Sequence, residues 1–80
     1  MNAKDAVAKR IQALCAQQDI TVNELANRCG MTPSTIYSMM NQKSKNPGVV
    51  SIQKICDGLE ISVRTFFDDS LFEKLDPIIQ

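Results

Sequence analysis

Apolar residues return along this chain at helical spacing, in blocks separated by polar turns. Val7, Ile11, Leu14 and Cys15 form one buried stripe and predict a first helix over residues 3–18. Leu25, Ala26 and Cys29 form a second stripe, and Ile36, Met39 and Met40 a third. Val49, Ile52, Ile55, Cys56 and Leu59 mark a fourth helix over 49–59. Ser62 can cap a short fifth helix that ends near Phe66 and Phe67, two rings expected to supply much of the aromatic core. Lys9 and Arg10 fall off the first stripe and are expected to face solvent.

The segments between the stripes carry start and stop signals. Thr21 with Glu24 three residues on is a capping box, in which hydroxyl and carboxylate satisfy backbone N–H groups at a helix start. Thr32 and Pro33 open the next helix, since Pro at the first helical position loses no needed hydrogen bond. Gly30 suits a left-handed helix end, and Asp19 tolerates that conformation better than most residues. Asn46-Pro47-Gly48 is a turn signal. Gly58 lies inside the fourth stripe, where it costs about 1 kcal/mol relative to Ala. Either the helix frays there or another backbone packs close.

Two capped helices separated by a few residues must cross and share one core, which is helix-turn-helix geometry. The outer side of the second of them then offers Ser34, Tyr37, Ser38 and Asn41, at spacings of three and four. The tail after Asp69 has Leu71, Phe72 and Leu75 at helical spacing for about two turns, before Pro77 stops any helix. So much apolar character needs burial. The expected division is therefore a domain over 1–68 and an apolar tail over 69–80, packed on that domain or on a partner chain.

Composition adds less. Eighty residues make one domain with a small core. No apolar run approaches a membrane span and no signal-peptide pattern opens the chain, so a cytoplasmic location is expected. Formal charge is zero, but residues 1–50 hold six basic and three acidic side chains and residues 51–80 the reverse. The half containing the two-helix unit is the basic one. Cys15, Cys29 and Cys56 are widely spaced, without a CxxC pair or any histidine. They read as small buried hydrophobes, with zinc or redox chemistry as the alternative. No Ser or Cys stands beside a plausible base, there is no glycine-rich phosphate loop, and Asp68-Asp69 reads as a solvated charged turn. No catalytic residue, metal, cofactor, small-molecule substrate or membrane contact is expected.

The blocks ITVNELA at 20–26, GMTPSTIY at 30–37, NQKSKNP at 41–47 and VVSIQKICDGLEIS at 49–62 resemble the Cro/repressor-type, XRE-like helix-turn-helix family. The resemblance spans roughly residues 6–67 and needs no gap within these blocks. It implies an all-α, compact five-helix bundle of the lambda-repressor-like DNA-binding type. It also implies sequence-specific binding of double-stranded DNA, usually as a homodimer, to regulate transcription, with repression favoured over activation. Carried onto this chain, the base-reading positions are Thr32, Pro33, Ser34, Tyr37 and Ser38. The phosphate-contacting positions are Val22, Asn23, Asn41, Lys43 and Lys45. For the two lysines a solvated loop is the competing reading, and for Tyr37 a plain surface aromatic.

The chain departs from the family in four places. Val22 stands where the family commonly has a phosphate-binding Gln. The recognition surface has no Arg, Lys, Gln or Asn before Asn41, so bidentate readout of guanine or adenine, worth roughly 1–3 kcal/mol per pair, is missing from its centre. Small polar contacts, methyl contacts, water or DNA shape must then carry specificity. Cys15 and Met40 occupy positions where many members place a partly buried ion pair, and are expected to pack instead. Glu60 stands where a helix-ending Gly is preferred, so a mildly strained positive φ is expected. A protein-interaction module that keeps the fold, antitoxin-like, is the alternative function. Neutral charge, Val22 and the apolar tail speak for it.

Overall fold

The structure, a computed structural model, describes residues 1–41 and 47–79. Five helices follow one another: α1 (Ala3–Gln18), α2 (Val22–Cys29), α3 (Pro33–Met40), α4 (Val49–Leu59) and α5 (Val63–Phe67). A single 3-10 turn, Ser70–Glu73, closes the chain, and there is no strand among the described residues.

The helix starts follow from their caps. Asn2, Thr21, Thr32 and Ser62 each place a side-chain oxygen on the backbone N–H three residues ahead. Thr21 and Glu24 complete the capping box in both directions, at 3.1 and 3.2 Å. The ends of α1, α2 and α4 share another device. Asp19, Gly30 and Glu60 take left-handed φ of 56°, 67° and 59°. The next residue's N–H then reaches back into the last helical turn: Ile20 to Cys15, Met31 to Ala26, Ile61 to Cys56, each at 3.0 Å. Ile20, Met31 and Ile61 all pack against the core, so each turn also anchors the chain as it leaves a helix.

Val7, Ile11, Leu14, Leu25, Ile36, Met39, Ile52, Ile55, Leu59 and Phe66 form one buried cluster. Cys15 lies in it and Met40 is half-buried against it. Helix α4 does not fray at Gly58. A Cβ there would sit 3.0 Å from Cβ of Cys29 and 3.3 Å from its backbone nitrogen, so the glycine lets α2 lie close on α4.

Four expectations need correction. Arg10 does not face solvent: it is half-buried, and its guanidinium donates to the carbonyls of Phe66 (2.7 Å) and Thr65 (2.9 Å) and to Asp69 Oδ2 (3.1 Å). The last carbonyls of a helix lack internal donors, and Arg10 supplies them for α5. Val49 is 70% exposed, because the first turn of α4 overhangs the core rather than covering it. Phe66 is fully buried but Phe67 is partly exposed, since neighbouring residues on a helix cannot both face inward. The tail makes one 3-10 turn rather than two helical turns. Asp69 caps it through Leu71 N–H, and Phe72 packs on the core beside Phe66 and Phe67. Beyond it, the Met1 ammonium pairs with Asp76 at 2.6 Å and the Asp76 N–H donates to Met1 O. Ile78 and Ile79 stay 89% exposed.

Candidate nucleic-acid interface

Helix α3 is held from one side only. Ile36 and Met39 are buried, while Ser34, Thr35, Tyr37 and Ser38 are exposed on the other side. That outer face is uncharged and carries four hydroxyl groups. Hydroxyls donate and accept, so they can meet base edges or phosphates, and a ring edge or Cγ methyl can meet a thymine methyl.

The start of α3 is locally wired. Thr32 Oγ1 accepts from Thr35 N–H at 3.3 Å and lies 2.8 Å from Thr35 Oγ1 and 3.2 Å from Ser34 Oγ. The Thr32 hydroxyl is thus engaged in the cap, and it orients the hydroxyls of Ser34 and Thr35. Pro33 is half-buried at the first helical position. Tyr37 is 53% exposed, at the edge of the face next to Ser34. Thr35 was not among the sequence candidates. Its position three residues after a cap marks it as structural, yet a turn of 100° per residue sets it beside Ser34 and Ser38.

Of the phosphate candidates, Asn23 is exposed in the first turn of α2 and Asn41 is exposed at the end of α3. Val22 packs half-buried against the core, so its side chain offers nothing to a phosphate and only its N–H remains for one. Lys43 and Lys45 lie outside the described residues.

The chemistry available elsewhere is limited. Burial pushes up the thiol pKa of Cys15, Cys29 and Cys56. A smaller upward push comes from Cys29 at Cys15 and from Asp57 at Cys56, while backbone hydrogen bonds partly oppose the rise at Cys29. Protonated thiols are poor nucleophiles and poor metal ligands. No group of three His, Cys, Asp or Glu among the described residues is placed to hold a metal ion. No helix among them is long and apolar enough to cross a membrane.

A capped helix pair with a polar outer face on the second helix, inside a five-helix bundle, defines a helix-turn-helix protein. The Cro/C1-type HTH DNA-binding domain family matches residues 10–70, and the chain belongs to that family, which is one of DNA-binding regulators rather than an enzyme class. Among solved structures, the chain is similar to prophage Lp1 protein 11, with 33% identity, a TM-score of 0.82, and coverage of 94% of this chain and 100% of that one. It is also similar to the wild-type restriction-modification controller protein C.Esp1396I, with 24% identity, a TM-score of 0.74 and 88% of each chain covered. The same controller protein bound to a 19 base pair DNA duplex gives 24% identity and a TM-score of 0.75, over 88% of this chain and 91% of that one. At that identity the likeness shows the shared fold. No curated protein matches the chain.

Proposed function

We propose that this protein binds double-stranded DNA sequence-specifically as a small cytoplasmic transcriptional regulator, with α3 in the major groove and two copies of the chain on one site. The observation that carries this is the outer face of α3: Ser34, Thr35, Tyr37 and Ser38 exposed together on a helix whose other side is anchored by Ile36 and Met39. Family membership supports it, as does the fold shared with a controller protein known in a DNA complex.

In this reading Ser34, Tyr37 and Ser38, with Thr35 beside them, meet base edges, and Pro33 adds an apolar contact. Thr32 holds the cap that aims them. Asn23 and Asn41, the first N–H groups of α2, and Lys43 and Lys45 meet phosphates on either side. With zero net charge, few counterions are released, so non-specific affinity is weak and the α3 contacts decide where the protein rests. Repression is favoured over activation because occupancy alone blocks whatever overlaps the site. Replacing Lys43 and Lys45 together by Ala is expected to weaken binding to all duplexes alike and to flatten the salt dependence. Unchanged affinity would remove those two lysines from the interface.

The neutral charge and the exposed Ile78 and Ile79 favour a second reading, a module that binds another protein. A salt titration of the purified protein on the duplex it enriches from a random pool separates the two. Affinity for DNA falls steeply with salt if phosphates are met. A pool without enrichment, from a protein that melts cooperatively, turns the reading to the protein partner.

A further inference from the structure

From Thr32 to Met40 the chain has no Arg, Lys, Asp, Glu, Asn or Gln. No side chain on the outer face of α3 can therefore make the paired hydrogen bonds that tell guanine or adenine from the other bases. What the face does carry is ordered around the helix. At 100° per residue, Ser34 and Ser38 fall in the middle, Tyr37 at one edge and Thr35 at the other. Pro33 stands next to Tyr37, half-buried at the helix start. Two serines thus lie between a ring and a methyl-bearing side chain.

The hydroxyls discriminate little. A lone hydroxyl donates or accepts, so it can meet any base edge. Those of Ser34 and Thr35 also lie 3.2 and 2.8 Å from Thr32 Oγ1, turned back toward the cap. With its hydroxyl held there, Thr35 has its Cγ2 methyl left for a partner. The exposed surface that can choose is then apolar: that methyl at one edge and the Tyr37 ring at the other. Base pairs show one apolar group in the major groove, the C5 methyl of thymine. We propose that α3 reads its half-site through thymine methyls, with Thr35 Cγ2 on one thymine and the Tyr37 ring on another, while Ser34 and Ser38 bond to the base edges between. The inference deepens the proposed function and rests on α3 lying in the major groove. That groove admits a whole helix, so both edges of the face reach base pairs. With zero net charge and few phosphate contacts, apolar contacts weigh more in what the protein selects.

The test uses the full chain and the duplex that the wild type enriches from a random pool. Thymines of that duplex are then replaced by uracil, one position at a time. Uracil keeps O4 and the base pair and lacks only the methyl. Affinity is expected to fall about fourfold at two positions of each half-site, the loss that uncovering one buried methyl brings, and to hold at the others. Thr35→Ser deletes Cγ2 and keeps the cap hydroxyl. It is expected to bind the thymine duplex about fourfold more weakly and to be indifferent to uracil at one of the two positions. Tyr37→Ala is expected to be indifferent at the other. Melting temperatures near that of the wild type show that both variants are folded. A pool without enrichment overturns the DNA reading and this inference with it. An enriched duplex that lacks A·T pairs, or that binds equally with uracil at every position, overturns this inference alone and leaves DNA binding standing. Uracil losses that persist unchanged in both variants overturn the assignment of the methyl contacts to Thr35 and Tyr37.

Discussion

Helices α3 and α5 begin with the same local plan and end as different surfaces. Each starts with a hydroxyl cap, Thr32 or Ser62. Each places a threonine three residues on, whose hydroxyl lies 2.8 or 2.9 Å from the cap hydroxyl. Each then buries the fourth residue, Ile36 or Phe66, completely and exposes an aromatic at the fifth, Tyr37 at 53% or Phe67 at 37%. They part at the second and sixth residues after the cap: Ser34 and Ser38 in α3, Arg64 and Asp68 in α5. Cap and anchor set how the helix sits, and the outer residues set what it meets. An uncharged hydroxyl face suits the edges of bases. The outer side of α5 carries an apolar row, Val63 and Phe67, beside two opposite charges.

The largest effect comes from removing the shared anchors. Phe66→Ala is expected to cost about 3–5 kcal/mol and Ile36→Ala about 2–5 kcal/mol, each a large part of a small domain's stability, as urea unfolding would show. Phe66 is expected to cost more, because Phe67 and Phe72 lean on its ring. A next test uses the clamp that Arg10 places on the end of α5. Arg10→Lys keeps the charge but not the fork, and is expected to cost about 2 kcal/mol with faster amide exchange in α5. A wild-type melting curve would mean that the fork does not hold α5. The caps come third: Thr32→Ala and Ser62→Ala are each expected to cost about 1 kcal/mol, similar to one another. Only the first is expected to change DNA binding as well. Smallest in stability, within about 0.5 kcal/mol, are Ser34→Ala and Ser38→Ala. Thermal melts would confirm that these two leave the fold alone, so any altered DNA preference belongs to the face itself.

Much of this plan is legible in the sequence because it is local. A cap, a capping box or a left-handed helix end is written within three or four residues, and Asp19, Thr21, Gly30, Thr32 and Ser62 read correctly on that basis, whereas the left-handed Glu60 follows only from the family's preference for Gly there. Stripe periodicity likewise places α1 and α4. What is not legible depends on contacts far along the chain. Arg10 lies off its helix's apolar stripe, and nothing near it announces that α5, 55 and 56 positions later, needs donors for its carbonyls. Val49 is apolar and in register, yet it stands past the edge of the core. Leu71, Phe72 and Leu75 keep helical spacing, but the Asp69 cap fixes a 3-10 turn and only Phe72 reaches the core. The outer face of α3 is readable for a related reason: once Ile36 and Met39 are assigned inward, Ser34, Tyr37 and Ser38 have nowhere else to point. Thr35 escapes that reading because it also serves the cap. Which bases the hydroxyls meet depends on a duplex whose sequence the chain does not spell out.

The most direct test is to select duplexes from a random pool with the wild type and with Ser34→Ala and Ser38→Ala, in parallel. The account predicts one enriched motif for the wild type, with two symmetric halves. It predicts motifs altered at a few base positions for the two variants, whose melting temperatures stay unchanged. A single motif shared by all three proteins would contradict the assignment of base reading to the outer face of α3.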